Sequence, residues 1–458
     1  MPRRRRLAAG STQGRMAERA KAHPARFVLY IFTLVNLAFT ALLLLPRATE
    51  TGQRARFVDA LFTAVSSVCV TGLTVHDTGS YWSGFGHVVI LSAIAVGGLG
   101  IITLASILGI VVSRRMGLGY RVLAARETKT ERLGELAELL KVVVGTTLLI
   151  EGLVFVVLVP RFLTDGEGVG PALWHSLFYA ISAYNNAGIV VHPGGLPTHP
   201  GDWWLQVPLI VGVFLGSVGF PVLQVLRHRW RRPRTWGLHA QLTLTTTGIL
   251  IAGSIVLFLA LEWRNPATMG PHSVSDKALD ALFMAVMPRS AGFNTVPVGD
   301  LNHTTMLSLD ALMFVGGGPV STAGGIKVTT LAVLFLAVVA EARGDRDVEV
   351  FSRRVPASSL RLAVAVTMLG ATIVLIGSMI VTELTHESLD RVLFEVLSAF
   401  ATCGLSTGLS AELPDAGKYV LTLLMFIGRT GTMTVGAALA LRERRHLYRL
   451  PEERPIIG

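Results

Sequence analysis

Eight apolar runs decide what this chain can fold into. They cover 27–45, 88–112, 139–159, 203–226, 240–261, 306–340, 360–381 and 419–441. A bilayer core is crossed by roughly 20 apolar residues of helix. A soluble fold would have to hide all eight runs beneath a polar surface, and this chain has little charge to build one. Only 16% of its residues are charged and 51% are hydrophobic, whereas soluble domains carry about 25% charged residues. The expected class is therefore an all-α integral membrane protein. A soluble enzyme, a secreted disulfide scaffold and a disordered chain are all disfavoured. Cys69 and Cys403 are the two cysteines, too few for a disulfide framework or a metal cluster. Arg3, Arg4, Arg5 and Arg6 resemble the start of a signal peptide. A long polar stretch separates them from the first run, which is itself of full span length, so no signal peptide is expected.

The net charge of +11 would suggest nucleic acid in a soluble protein. Its distribution suggests otherwise. Basic residues crowd the N-terminal tail (Arg3 to Arg6, Arg15, Arg19, Lys21, Arg26) and the connections after the second run (Arg114, Arg115, Arg121, Arg126, Lys129, Arg132), the fourth (Arg227, Arg229, Arg231, Arg232, Arg234), the sixth (Arg343, Arg346, Arg353, Arg354) and the eighth (Arg442, Arg444, Arg445, Arg449). The alternate connections are poor in Lys and Arg, apart from Arg47, Arg54 and Arg56, and carry Asp77, Asp165, Glu167, Asp202, Asp300, Glu383, Glu387, Glu412 and Asp415. The positive-inside rule then gives eight spans with both termini cytoplasmic. No nucleic-acid partner is needed to explain the charge.

Between the members of each pair of long runs lies a shorter one, at 57–70, 171–184, 278–287 and 389–401. Runs of about 10–14 residues are typically re-entrant or buried. The four share a register. Leu61-Phe62, Leu177-Phe178 and Leu393-Phe394 each precede a glycine (Gly72, Gly188, Gly404) by ten residues counted from the Phe, and Leu282-Phe283 precedes Gly292 by nine. A bulky apolar residue follows each glycine: Leu73, Ile189, Phe293 and Leu405. The glycines lie 116, 104 and 112 residues apart. The chain thus reads as four repeats of span, short helix, glycine loop and span.

Irregular backbone at membrane depth survives only inside protein or along a watery cavity. Four such loops meeting on a pseudo-fourfold axis would offer carbonyls able to replace the hydration shell of a cation. A short helix aiming its C-terminal end at that axis adds partial negative charge, and glycine permits the backbone angles required. Side chains in the loops differ widely (Val70-Thr71-Gly72, Asn186-Ala187-Gly188, Ser290-Ala291-Gly292, Thr402-Cys403-Gly404) while the glycine recurs. That pattern fits backbone coordination better than side-chain chemistry.

On these residues the chain resembles the Trk/Ktr/HKT superfamily of cation transporters, from about 27 to 441, most closely at 68–74, 185–189, 289–295, 316–330 and 404–408. With only a short tail ahead of the first unit it looks like the Ktr-type membrane subunit. The resemblance implies a K+ filter at the twelve loop residues just named, a homodimer, and a cytosolic nucleotide-binding regulatory ring that controls flux. Within it, a Ser at the first filter glycine accompanies Na+ preference, so Gly72 favours K+. One filter glycine per repeat implies a shorter stack of sites than in tetrameric K+ channels. The resemblance also makes Gly316, Gly317, Gly318, Pro319, Gly324, Gly325 and Lys327 part of an intramembrane gating loop below the filter. Arg429, inside the last run, becomes a pore cation that opposes passage.

The residues support this independently. An intramembrane Arg is functional by default. The glycine-rich run ending in Ile326-Lys327 lacks the Gly-Lys-Ser/Thr of a phosphate loop, and a helix so interrupted must line a cavity. Arg289, beside the third filter, is expected to point away and pair with an acid such as Asp280. Asn185, Asn186 and Asn294 are expected to brace filter loops, and Cys69 and Cys403 to fill space beside them. Glu151 is expected to be buried with a partner, with proton coupling as the lesser alternative. Asp77, Asp202, Asp300, Glu412 and Asp415 would form either an acidic outer mouth or ordinary loops. The histidines show no metal-ligand spacing, and the basic segments suit anionic lipid or the soluble partner.

The sequence therefore divides into a basic tail (1–26), pore repeats at 27–113, 114–228, 229–342 and 343–441, and a C-terminal tail (442–458). The expected function is channel-like K+ uptake at the cell membrane, with no organic cofactor and no catalytic residues. The alternative is a Na+-coupled or Na+/K+ secondary transporter, which would need discontinuous spans in corresponding halves; only one run is visibly broken. An integral membrane enzyme would need convergent His, Asp, Glu or Cys in the repeats, and none is evident.

Overall fold

A computed structural model of the chain describes residues 24–115 and 133–441, with side chains described within 29–100 and 141–431. The basic tails and the connection carrying Arg121, Arg126, Lys129 and Arg132 lie outside the described residues. Most of the described residues are helical, in fourteen helices of ten or more residues and a few single turns such as Thr78–Tyr81 and Leu409–Glu412. The helices are α1 (Pro24–Leu43), α2 (Phe57–Val68), α3 (Gly84–Arg115), α4 (Leu133–Thr164), α5 (Val169–Tyr184), α6 (Trp203–Val218), α7 (Phe220–Arg229), α8 (Leu238–Glu262), α9 (Val274–Val286), α10 (His303–Phe314), α11 (Val328–Arg343), α12 (Ala357–Thr385), α13 (Leu389–Ala401) and α14 (Asp415–Leu441). Strand is confined, among the described residues, to one small hairpin pairing Glu349 with Arg354 and Val350 with Arg353.

Among the described residues, three helices are long and apolar enough to cross a membrane, Lys141–Thr164, Leu238–Glu262 and Ala357–Thr385, and α6 with α7 makes a fourth if that bent pair counts as one. Their outer faces carry large apolar side chains in the open: Leu148, Leu149, Leu153 and Val156 on α4, Ile249 and Val256 on α8, and Met368, Leu375 and Met379 on α12. Soluble monomers rarely expose patches of that extent. The molecule is built for a bilayer.

The short helices α2, α5, α9 and α13 are the opposite case, buried on nearly all sides. Phe62, Phe178, Phe283 and Phe394, the second residues of the repeated Leu-Phe pairs, are each fully buried. Each short helix packs against the long helix before it (α1, α4, α8 and α12). Each also packs against the outgoing helix of the preceding group. That helix is α3 for α5, α6 for α9, α10 for α13, and, returning to the start of the chain, α14 for α2. The packing order is cyclic although the chain is linear.

Two outgoing elements depart from straight helices. The run 203–226, expected to be one span, is broken at Gly219, where α6 and α7 meet at 104°. The run 306–340 is broken over residues 315–327, between α10 and α11. The two breaks touch and share hydrogen bonds. Gly318 N donates to Ser217 O (2.8 Å), Thr322 N to Gly216 O (3.3 Å) and Phe220 N to Val320 O (3.1 Å). The last carbonyls of a helix need donors from outside it. Here the loop supplies them, and α6 ends. Gly219 has φ +97°, and a Cβ there would approach Pro319 O to 2.5 Å. A single glycine inside an apolar run does not announce such a break.

Candidate functional site

Each short helix delivers the chain into a tight loop with the same backbone signature. The glycine has positive φ (Gly72 97°, Gly188 64°, Gly292 65°, Gly404 94°), and so does the residue two before it (Val70 53°, Asn186 62°, Ser290 86°, Thr402 49°). Bulky residues adopt this region only at a cost of roughly 1–2 kcal/mol, so surrounding contacts must hold them there. The recurrence at four places 100 residues and more apart points to one shared geometry. Sequence reading finds the glycines and misses their partners, because nothing about Val, Asn, Ser and Thr suggests a common conformation.

The four loops close on one another. A Cβ added to Gly72 would collide with the carbonyl oxygen of Ala187, one on Gly188 with that of Ala291, and one on Gly404 with that of Thr71. Gly292 is the loosest, with Cys403 O at 2.9 Å. Each glycine thus abuts the carbonyl that precedes the glycine of the next loop, and the fourth returns to the first. Val70, Thr71, Asn186, Ala187, Ser290, Ala291, Thr402 and Cys403 are all buried. The hydroxyls of Thr71 and Thr402 have no hydrogen-bond partner among the described residues. The ring residues themselves include no Asp or Glu, so the oxygens they offer belong to backbone, hydroxyl and amide groups.

Three of the four loops are pinned identically. The residue before the glycine donates its N–H six positions back from the glycine, to Ser66 O (2.7 Å from Thr71), Ser182 O (2.7 Å from Ala187) and Ser398 O (2.8 Å from Cys403). Ser66 Oγ donates to Leu73 O (2.7 Å) and accepts from Gly72 N (3.1 Å). Ser182 Oγ donates to Ile189 O (3.1 Å), and Ser398 Oγ accepts from Gly404 N (3.0 Å). These serines were not singled out from sequence, although their constant offset from the glycine was available as a signal. The third loop has Val286 at that offset, and Ala291 N bonds Met287 O instead (3.0 Å). The shorter spacing from Leu282-Phe283 shows here as a helix that ends earlier, at Val286.

The third loop is tied elsewhere. Ser290 Oγ donates to Thr402 O (2.8 Å) and accepts from Gly324 N (3.0 Å). It therefore links the ring to the 315–327 loop. That loop is folded tightly: Gly316 N bonds Ile326 O (2.9 Å) and Val328 N bonds Gly317 O (3.0 Å). Its other glycines sit against backbone; a Cβ on Gly317 would lie 2.5 Å from Ser217 O, and one on Gly318 would collide with Val218 O. Gly325 has φ +67°. Pro319 O faces Gly219. Thr322 Oγ1 donates to Tyr184 O (3.2 Å) beside the Asn186 amide (3.3 Å), so the loop touches the second glycine loop as well.

Two cations flank this loop. Arg429 is buried, and its Nη1 donates to Thr322 O. Its Nε and Nη2 have no partner among the described residues, nor does any carboxylate form an ion pair with it there. Lys327 Nζ donates to Ala323 O (2.6 Å). Both cations are thus held by carbonyls of the same loop.

The remaining sequence candidates find ordinary partners. Arg289 is buried, but its neighbour is Thr247 Oγ1 (3.1 Å); Asp280 is engaged by His272 (2.7 Å) and Thr295 (3.2 Å) instead. Glu151 accepts from Asn185 Nδ2 (2.8 Å). Asn294 donates to Val296 O (3.3 Å). Cys69 and Cys403 are free and buried, and Cys403 Sγ lies 3.3 Å from Pro288 O. Of the acidic residues, Asp202 is buried against Arg161 (2.7 Å), Asp415 meets Arg56 (2.5 Å) and Glu412 meets Arg391 (3.2 Å). Asp77 instead caps Gly79 N (3.2 Å). The histidines show no ligand spacing along the chain, yet the fold brings His175 and His192 together on Glu167.

Comparison with known proteins agrees with this architecture. The sequence family described as TrkH, cation transport protein, matches residues 14–444. The chain is 35% identical over 436 residues to the Ktr system potassium uptake protein B of Bacillus subtilis, covering 95% of this chain and 97% of that one. It is 30% identical over 450 residues to the potassium/sodium uptake protein NtpJ of Enterococcus hirae, covering 96% and 98%. The crystal structure of the potassium transporter TrkH from Vibrio parahaemolyticus superposes with a TM-score of 0.71 at 18% identity, over 95% of this chain and 86% of that one. A family match across nearly the whole length, on a helical fold whose four glycine loops close into one ring, establishes that this chain belongs to the TrkH family of cation transport proteins.

Proposed function

We propose that the chain is the membrane subunit of a K+ uptake system that conducts ions through a backbone-lined filter. The single observation that carries this reading is the closed ring of glycine and carbonyl around Gly72, Gly188, Gly292 and Gly404. Eight spans and four repeats surround that ring, with both termini cytoplasmic. K+ sheds water at the ring, where backbone oxygens offset the loss, and moves down its electrochemical gradient. The loop 315–327 and Arg429 gate the pathway below. The chain works as a homodimer in the cell membrane, in contact with lipid, and a cytosolic nucleotide-binding ring biases the gate. The relatives named for potassium uptake support the choice of ion. A Na+/K+ transporter is the second reading, favoured by the relative named for potassium/sodium uptake.

The test is ion flux into liposomes containing the purified chain, with K+, Rb+, Na+ and Li+ in turn. K+ and Rb+ are expected to pass and Na+ and Li+ to lag by tenfold or more. Gly72→Ser is expected to erode that difference, because its Cβ would collide with Ala187 O and its hydroxyl adds an oxygen. Equal flux of all four ions in the wild type, or an unchanged ratio in a folded Gly72→Ser, would remove the ring from selectivity.

A further inference from the structure

Position thirteen before each filter glycine in the first two units, and position four after it, face each other across the mouth of the loop. In the first unit the pair is Asp59 and His76, 3.2 Å apart, with Lys418 Nζ also on Asp59 (2.8 Å). That is a charge-complementary brace. The second unit places His175 and His192 at the same two positions. Two imidazoles cannot form an ion pair with each other, yet their ring centroids are only 4.0 Å apart. Glu167, from the connection between α4 and α5, bridges them. Its Oε2 lies 2.8 Å from His175 Nδ1 and its Oε1 2.9 Å from His192 Nε2.

The rings are oriented from behind. Tyr179 is fully buried, and its hydroxyl lies 2.7 Å from His192 Nδ1. With Nδ1 engaged, Nε2 of His192 is turned to Glu167. Phe162 stacks on His192 at 5.6 Å. A hydrogen bond behind one nitrogen that aims the other is the usual support of an imidazole metal ligand. One ligand atom from each of Glu167, His175 and His192 falls within 4.8 Å of the other two. All three side chains remain 15–21% exposed, so an ion has a way in.

We propose that Glu167, His175 and His192 form a binding site for a divalent transition metal of the zinc class. Two imidazole nitrogens and one carboxylate oxygen select such ions over Mg2+ and Ca2+, which prefer oxygen. Three protein ligands leave a fourth position for water, as in open zinc sites. Tetrahedral zinc with bonds of about 2.0–2.1 Å spaces its ligands roughly 3.3–3.4 Å apart. The two histidines need to back away from Glu167 by about half an ångström, and their partial exposure allows it. The site joins the start of α5 to the segment leaving Gly188. The 315–327 loop touches the other end of α5, at Tyr184 O, so metal and gate address opposite ends of one helix.

The experiment uses the full chain, with any affinity tag removed, in lipid nanodiscs. Co2+ is titrated first, and visible absorption is read. A saturable d–d band at one ion per chain is expected from the wild type, and its absence overturns the proposal without any variant. Zn2+ is then titrated by calorimetry against wild type, His175→Gln, His192→Ala, Glu167→Gln and the exposed control His199→Ala. A loss of tenfold or more in affinity is expected for the first three variants and no change for the control. If the three variants bind as the wild type does, the cluster is only a hydrogen-bonded brace.

Discussion

The ring of glycine loops and the loop 315–327 that touches it are both irregular backbone deep in the protein, yet they are built on opposite plans. The ring contains no charged side chain, and its four members repeat one backbone geometry. The 315–327 loop occurs once, and two cations, Lys327 and Arg429, are bound to its carbonyls at Ala323 and Thr322. A ring made of backbone can attract an ion only through partial charges, which suits discrimination among cations of one charge. A single asymmetric loop bearing fixed positive charge suits a barrier whose height can change. Selectivity and flux should therefore be separable by mutation.

The largest effect should come from the ring. Gly188→Ala places a Cβ against the Ala291 carbonyl at a position with φ +64°, and we expect K+ transport to fall more than tenfold. Gly292→Ala, where the nearest carbonyl is 2.9 Å away, should be distinctly milder. Side-by-side flux in liposomes checks this order, and equal damage at both sites would argue against ring geometry as the cause.

Next comes the barrier. A unit charge roughly 4 Å from a passing cation contributes about 4 kcal/mol of repulsion at an effective dielectric near 20, and less at greater separation. Arg429→Ala should raise K+ flux on the order of tenfold while leaving the K+/Na+ ratio alone. A folded variant with unchanged or lower flux would make Arg429 a structural clamp on Thr322. Deleting residues 320–323 removes that clamp and should raise basal flux and abolish dependence on the regulatory partner proposed above. Persistent low flux in a folded dimer would move the gate elsewhere.

The smallest effect should come from the pins. Ser182→Ala loses its bond to Ile189 O, worth about 1 kcal/mol. We expect a thermal midpoint lower by a few degrees with selectivity retained, as the third loop takes the same backbone geometry with Val286 in that place. A selectivity change as large as that of Gly72→Ser would mean the serines set the ring and not only its stability.

Much of this was legible in sequence. The short apolar runs at 57–70, 171–184, 278–287 and 389–401 correspond to α2, α5, α9 and α13, because a buried helix flanked by turn residues leaves a local signature. The glycines stood out because backbone demand overrides side-chain drift. The bend at Gly219 did not, since its cause is the hydrogen bonding of another segment 100 residues away. The neighbour of Arg289 was misjudged for a similar reason. Thr247 and Asp280 are both plausible by type, and only packing decides. Glu167, His175 and His192 lack any ligand spacing along the chain because the folded helix and its two flanking connections bring them together.

The cyclic packing also has a consequence in time. Gly404 abuts Thr71, α14 packs on α2, and Lys418 forms a buried ion pair with Asp59 at 2.8 Å. At ribosomal rates of about 5–20 residues per second, roughly twenty seconds to a minute separate synthesis of the first of these segments from the last. Throughout that interval α2 has no α14 to lean on, and Asp59 has no lysine. The earliest quarter of the molecule must wait in the bilayer with one flank unmatched, and whatever shields it there is needed only until the final quarter arrives.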